Sequence, residues 1–219
     1  MFKSRREAGF ILAKKLANYR KKAISIGITR GGVVVAKAIS DKLKISLSAV
    51  VVKKIGAPGQ EELAIGAVGP HRAVVLVESL VSQLKISREY LNKAIREKEK
   101  EVEEKEKKFG INNLGLELRS ALPSGRLKTV ILVDDGIATG ATTEAAIKYL
   151  RKKRVGKIVL AVPVMPEDSV EKFKKLADEL IVLETPLEFH SVGEFYENFP
   201  QVTDEEVINL LHETFSRTR

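Results

Sequence analysis

Short apolar segments alternate along this chain with segments in which apolar residues recur every three or four positions. Five short segments rich in β-branched residues predict buried strands: Ala23–Ile28, 47–52, Thr129–Val133, Lys157–Val164 and 179–183. Helical spacing of apolar residues predicts helices at 3–20, 33–43, 143–153, 167–177 and 203–215. Strands that alternate with helices are typical of a parallel sheet with helices on both faces. The pattern therefore predicts an α/β fold built on a central parallel β-sheet flanked by helices.

One further segment, 85–109, differs from these because it is charged at most positions and carries both signs. Its apolar residues Ile95, Val102 and Phe109 are seven positions apart, which gives one narrow stripe along a helix. We expect a long, largely solvated helix inserted into the fold. Its stripe is predicted to contact either a second copy of the chain or the edge of the chain's own sheet. A homo-oligomer is therefore left open.

The segments between these elements are less regular. Residues 56–59 form a loop rich in Gly and Pro, and residues 73–77 form a further short apolar run. Residues 110–128 form an irregular connector. Aromatic residues gather without a regular period in 184–200, which predicts a small cap together with the last helix. The predicted organisation is a core at 1–183, a long charged helical insertion at about 85–109 and a C-terminal hood at 184–219.

Composition and charge narrow the class of protein. The chain has 38 Lys and Arg against 29 Asp and Glu, a formal charge of +9, and no cysteine. The missing thiols exclude disulfides, cysteine nucleophiles and cysteine-ligated metals. The positive charge attracts anions, but aromatic residues are only 5% and tryptophan is absent, so nucleic acid is a less favoured partner than phosphorylated metabolites. Neither an apolar leader nor a membrane-spanning run is found, so we expect a cytoplasmic protein with no membrane partner.

The most informative chemistry follows the predicted strand Thr129–Val133. Two carboxylates, Asp134 and Asp135, come at its carboxyl end, where parallel sheets place ligands. The next residues are small, apolar or hydroxyl-bearing and lead into a helix: Gly136, Ile137, Ala138, Thr139, Gly140, Ala141 and Thr142. Backbone N–H groups at 138–142, together with the helix dipole, suit a phosphate monoester. Since the carboxylates accept hydrogen bonds from hydroxyls, phosphate and sugar recognition are predicted side by side.

Two other phosphate-binding loops are excluded by spacing. A P-loop requires Gly-x-x-x-x-Gly-Lys and then Ser or Thr, whereas Gly136 and Gly140 are closer together and Ala141 follows without a lysine. A dinucleotide-binding turn requires Gly-x-Gly-x-x-Gly after the first strand, and the glycines at 27, 31 and 32 do not supply it.

An apolar strand, two acidic residues and a Thr-Gly phosphate loop together resemble the signature of the type I phosphoribosyltransferases. Residues 130–142 fit that signature, except that Gly136 stands where the family more often has an aliphatic residue. Other segments resemble a poorly characterised subgroup of predicted phosphoribosyltransferases, and with the loop they cover nearly the whole chain: Phe2, 5–9, 29–33, 54–58, 62–67, 192–193 and 195–196.

The resemblance implies a parallel sheet with a hood over the active site, and phosphoribosyl pyrophosphate as the donor, handled with Mg²⁺. Asp134 and Asp135 would hold the ribose hydroxyls, and residues 138–142 the 5-phosphate. Magnesium would be held mainly by the substrate, with Asp134 reaching it through water and no direct protein ligand. The departing pyrophosphate is assigned to a loop and to the end of the next strand: Thr29, Arg30, Gly31, Gly32, Lys53 and Lys54. Residues 56–66 match a mobile lid.

One position departs from the purine-type members of the family. Those members carry an acidic residue that faces the base, and Ala138 occupies that place here. The acceptor, a base or an amine, is therefore unidentified, and no catalytic residue is assigned. A donor-binding regulator of the same fold, with affinity for nucleic acid and little or no transfer, is the alternative. His190 and three aromatic residues are candidates for contacting the acceptor, and core packing is the alternative for the rings: Phe189, Tyr196 and Phe199.

Overall fold

A five-stranded parallel sheet forms the centre of the computed structural model, which describes residues 1–111 and 129–215. Its strands are β2 Ala23–Ile28, β3 Ser46–Val50, β7 Thr129–Val133, β8 Lys157–Val164 and β9 Glu179–Glu184. They lie in the order β3-β2-β7-β8-β9, and all neighbours are parallel. The predicted fold class is thus confirmed. Most of the predicted connector at 110–128 and the last four residues of the predicted hood lie outside the described residues.

Helices cover both faces of this sheet because side chains alternate along each strand. Val130 and Leu132 of β7 pack on one face with the helices α5 Ala141–Lys152 and α6 Glu167–Leu176. Ile131 and Val133 pack on the other face with three helices: α1 Arg5–Lys15, α2 Gly31–Leu43 and α7 Asp204–Phe215. Both faces are therefore buried, as a parallel sheet requires.

The first helix is shorter than the predicted 3–20. It begins at Arg5, where the Ser4 side chain accepts a hydrogen bond of 3.3 Å from the backbone N–H of Glu7, and a 3-10 turn follows it at Ala17–Tyr19. The residues before it form a short strand, β1 Phe2–Ser4, which pairs in parallel with β10 Tyr196–Asn198. The predicted hood is thus joined to the N-terminus, and the boundary at 183/184 stays a prediction.

A second, antiparallel sheet corrects the prediction for the middle of the chain. It consists of β4 Lys53–Ala57, β5 Gln60–Gly69 and β6 Ala73–Leu76. The loop predicted at 56–59 is shorter, because only Pro58 and Gly59 form the turn and most of 56–66 is paired strand. The match of 56–66 to a mobile lid stays a prediction. Gly59 has φ +72°, which suits glycine in a tight hairpin.

The charged insertion forms the predicted long helix and packs within its own chain. After the short helix α3 Glu78–Gln83, the helix α4 Arg88–Phe109 lies against β4, β5 and α7. Val102 and Phe109 are 1% and 4% exposed, so these two residues of the stripe are buried within the chain, and a homo-oligomer stays a prediction. None of the helices in the described ranges has the length and apolar character needed to cross a membrane.

Candidate functional site

The carboxyl ends of β2 and β7 lie side by side and carry the two loops that the sequence singled out. Gly27 pairs with Val133, so the turn after β2 meets the acidic pair after β7. The contact is close: a Cβ added to Gly31 would lie 1.8 Å from Oδ2 of Asp135, and one on Gly32 would lie 2.7 Å from the carbonyl oxygen of Val133. A side chain at Gly32 would collide with the backbone of β7, and one at Gly31 would displace the Asp135 carboxylate. The peptide bond between Thr29 and Arg30 is cis.

These loops line a cavity of about 310 Å³ that is open to solvent. Eleven of the residues predicted from the sequence line it: Thr29, Arg30, Gly31, Lys54, Asp134, Asp135, Gly136, Ala138, Thr139, Gly140 and Thr142. Four predicted residues do not. Ile137 and Ala141 are buried in the core, and Gly32 packs on the backbone of β7. The fourth, Lys53, lines a neighbouring cavity.

Lys53 and Lys54 separate because adjacent residues of a strand point to opposite faces. The Nζ atom of Lys53 lies 2.9 Å from a carboxylate oxygen of Glu101 on α4. Lys54 lines the cavity, and its positive charge acts on Asp134. Only one of the two predicted lysines therefore reaches the acidic pair.

The phosphate loop leads into α5 through Gly140, which has φ +76°. A Cβ at this position would lie 2.7 Å from the ring of Phe173, so both backbone conformation and space favour glycine. The first N–H groups of a helix have no partner within the helix. Gly140 and Thr142 line the cavity, so the start of α5 lies at the position where an anion site is predicted.

Asp134 is 9% exposed. One of its carboxylate oxygens accepts a hydrogen bond of 3.0 Å from the backbone N–H of Asp135, and the hydroxyl of Thr143 lies 3.5 Å from the other. Burial, and after it the charge of Asp135, raises the pKa of Asp134 well above its usual value, although these two contacts and the charge of Lys54 oppose the shift. The pair thus suits hydrogen bonding to neighbouring hydroxyls, with one carboxyl holding its proton more tightly than a free aspartate.

Arg5 is the site residue that the sequence analysis left without a role. Its Nε donates a hydrogen bond of 2.7 Å to Oδ2 of Asp135, and its Nη1 donates one of 2.7 Å to the carbonyl oxygen of Pro200. Its guanidinium also lies 3.6 Å from the ring centroid of Phe199. The sequence signal was its place in the segment 5–9 that carries the family resemblance, but nothing local pointed to Asp135.

The aromatic residues of the predicted hood differ in their access to the site. Phe199 lines the cavity together with Val192. Tyr196 is buried between Phe2 and Phe199, and its hydroxyl donates a hydrogen bond of 2.5 Å to the backbone oxygen of Asp135. Phe189 stacks on Phe195, with ring centroids 5.4 Å apart. His190 is exposed and lies 3.6 Å from Glu194, away from the residues that line the cavity.

The donor set fits a metal ion held mainly by a substrate. Within 1–111 and 129–215, no group of three or more His, Cys, Asp or Glu residues is placed to hold an ion. Magnesium commonly uses one or two carboxylates together with substrate phosphates and waters. Asp134 and Asp135, beside a predicted phosphate loop, match that smaller requirement.

The comparisons with known proteins agree with this geometry. The model of the phosphoribosyl transferase domain family matches residues 68–198. Two curated relatives from Mycobacterium tuberculosis strains, "Putative phosphoribosyl transferase Rv0571c" and "Putative phosphoribosyl transferase MT0597", are each 38% identical over 213 residues, which are 96% of this chain and 46% of the relative. The chain thus spans less than half the length of these relatives.

A solved structure is similar over the whole chain. The crystal structure of TT1426 from Thermus thermophilus has 34% sequence identity and a TM-score of 0.73, and the match covers 98% of this chain and 99% of that one. Together with the acidic pair and the phosphate loop at the carboxyl end of β7, the family match leads to one conclusion. The chain belongs to the phosphoribosyl transferase domain family.

Proposed function

We propose that this protein transfers phosphoribose from phosphoribosyl pyrophosphate to a base or amine acceptor, releases pyrophosphate, and uses Mg²⁺. The observation that carries the proposal is the single cavity that brings Asp134 and Asp135 together with the loop before α5, the turn after β2 and Lys54. The acidic pair is complementary to a sugar diol, the loop before α5 to a 5-phosphate, and the turn after β2 with Lys54 to a pyrophosphate.

The reaction breaks the bond between the anomeric carbon of the donor and pyrophosphate. As that bond lengthens, positive charge develops on the sugar ring and negative charge on the departing group. Arg30 and Lys54 line the cavity and would stabilise the departing charge, together with the backbone N–H groups of Arg30 and Gly31. The N–H of Thr29 is not available for this role, because it donates a hydrogen bond of 3.1 Å to the carbonyl oxygen of Val50. A phosphate held by the loop and hydroxyls held by the acidic pair fix the anomeric carbon against an incoming nucleophile.

The bound magnesium ion would neutralise part of the pyrophosphate charge. Asp134 is the residue proposed to reach it, through water. Asp135 is occupied by Arg5 in this structure, so a ribose hydroxyl would share Oδ2 of Asp135 with the guanidinium.

In this proposal, Ala138 makes purines less favoured acceptors than other bases or amines. Ala138 lines the cavity where purine-type members carry a general base, and an alanine cannot take a proton. General-base catalysis contributes roughly 100- to 10,000-fold where it operates. We therefore expect hypoxanthine and guanine to be poor acceptors for this protein.

The test is a pyrophosphate-release assay with donor and Mg²⁺ across a panel of nucleobases and small amines. The proposal expects release that depends on one class of acceptor and is lost in the Asp134→Asn, Asp135→Asn variant. Donor binding without release for any acceptor would favour the regulator instead. Rapid turnover of purines would contradict the role given to Ala138.

A further inference from the structure

A second cavity, of about 340 Å³, lies on the other side of the turn after β2. It shares Thr29 and Arg30 with the first cavity. Its remaining walls come from the link between β3 and β4, from the start of β4, from α4 and from the start of α7: Val51, Val52, Lys53, Lys105, Phe109 and Asp204. Neither the acidic pair nor the phosphate loop is part of it.

Positive charge exceeds negative charge around this second cavity. Lys105 and Lys108 both donate to Oδ2 of Asp204, the second at 2.8 Å, and these hydrogen bonds lower the pKa of Asp204 to about 2. Within the described residues, five cations of this ion-pair cluster face only three carboxylates, Glu101, Asp204 and Glu205; the cations are Arg30, Lys53, Lys98, Lys105 and Lys108.

Two of these groups are not fully engaged. Asp204 is only 8% exposed, and its Oδ1 is buried without a hydrogen-bond partner among the described residues. Nη1 of Arg30 lies 3.8 Å from that oxygen, which is beyond hydrogen-bond distance, and the Arg30 side chain is 42% exposed. A buried acceptor without a donor is costly, so a small rotation of Arg30 toward Oδ1 would be favourable.

We propose that the second cavity is a binding site for a small phosphorylated anion with at least two negative charges, such as a diphosphate. Lys53 and Lys105 would form ion pairs with the anion. The side chains of Phe109, Val51 and Val52 would provide an apolar surface for the rest of the ligand. Asp204 holds Lys105 in place and accepts from Arg30 when the guanidinium turns inward.

Because Arg30 lines both cavities, the second site is coupled to the first. A guanidinium drawn toward an anion in the second cavity is withdrawn from the departing pyrophosphate in the first. This coupling rests on the proposed function, whereas the binding site itself does not. Occupancy of the second cavity would therefore weaken donor binding by a competition for one side chain.

Calorimetric titration with inorganic pyrophosphate, in the absence of metal, tests the second site. Lys105→Ala removes a cation from the second cavity only. Lys53→Gln is a second variant that leaves the Asp204 ion pairs intact. Lys100→Ala removes an equal charge from an exposed position on the same helix and is the matched control. Thermal melting confirms that each variant is folded.

We expect two sites in the native protein, with one weakened about tenfold or more by Lys105→Ala and by Lys53→Gln, and both retained in Lys100→Ala. A single site that both cavity variants abolish would support the second site while it counts against pyrophosphate binding in the first. Isotherms that neither cavity variant changes would overturn the proposal, whatever the number of sites.

Discussion

Arg5 and Asp135 are 130 positions apart in the chain, yet Nε of the arginine donates a hydrogen bond of 2.7 Å to Oδ2 of the aspartate. The same guanidinium packs on Phe199 and donates to the backbone oxygen of Pro200. One side chain therefore connects the first helix, the acidic pair and the C-terminal segment. The two charged side chains are 9% and 16% exposed, so their ion pair is mostly screened from water.

Arg5→Ala is expected to lower the free energy of unfolding by on the order of 3 kcal/mol, because it leaves the Asp135 carboxylate buried without its partner. Thermal and urea unfolding measure the loss. Arg6→Ala removes the same charge from the exposed neighbouring position and should change stability by less than about 0.5 kcal/mol. Equal effects of the two substitutions would refute a structural role for the Arg5–Asp135 pair.

Substitutions at two glycines with positive φ distinguish the cost of backbone strain from the cost of a steric clash. Gly140 has φ +76° and lies against Phe173, whereas Gly110, which ends α4, has φ +69° and open space around it. Alanine at either position costs roughly 1–2 kcal/mol for its left-handed conformation. Gly140→Ala should cost more than Gly110→Ala in urea unfolding, and it alone should weaken donor binding. A Gly110→Ala protein that loses donor affinity equally would contradict the placement of the phosphate loop.

The opposite directions of Lys53 and Lys54 give a matched pair of variants. Lys54→Gln removes a cation from the first cavity, and a charged hydrogen bond is worth about 1.5–3 kcal/mol, so donor affinity should fall about tenfold or more. Lys53→Gln should lower donor affinity clearly less, because that side chain is directed toward Glu101. Calorimetry with donor and Mg²⁺ compares the two. A larger loss in Lys53→Gln would mean that the donor extends into the second cavity.

The raised pKa of Asp134 gives stability a predictable dependence on pH. The unfolded chain releases this proton near pH 3.9, while the native protein retains it to a higher pH, so the free energy of unfolding falls as the pH rises above about 4. Asparagine does not ionise and avoids this loss. The Tm of Asp134→Asn minus that of the native protein should therefore be larger at pH 7.5 than at pH 4. A difference that shrinks toward pH 7.5 would contradict the direction of the shift.

The parallel sheet and the acidic pair could be predicted because their signals are local. The apolar run at Thr129–Val133 and the carboxylates after it are adjacent in sequence, and the chemistry of the turn follows from its own residues. In the antiparallel sheet, β6 coincides with the apolar run at 73–77, but β4 and β5 gave no such signal. Lys53–Ala57 contains two lysines and a glycine, and β5 begins with Gln60, Glu61 and Glu62, so their pairing defines these strands more than their apolar pattern does.

Contacts between distant segments explain the other differences. The stripe of Ile95, Val102 and Phe109 was evident, but the surfaces that cover it come from distant parts of the chain. Val102 and Phe109 pack in the core cluster that includes α7, and Ile95 packs against the antiparallel sheet. The role of Arg5 depends on Asp135 and on residues near 200, which no local pattern connects with it. Lys53 and Lys54 could not be distinguished in the sequence, because their different directions depend on the strand at Lys53–Ala57.

Direct measurement of donor binding tests the central claim most simply. Phosphoribosyl pyrophosphate with Mg²⁺ should raise the Tm of the native protein, because a ligand that binds only the folded state stabilises it by mass action. The Asp134→Asn, Asp135→Asn protein should remain folded and lose most of that shift. An equal shift in the native and the double-variant protein would contradict the assignment of the acidic pair to the ribose, and with it this account of the site.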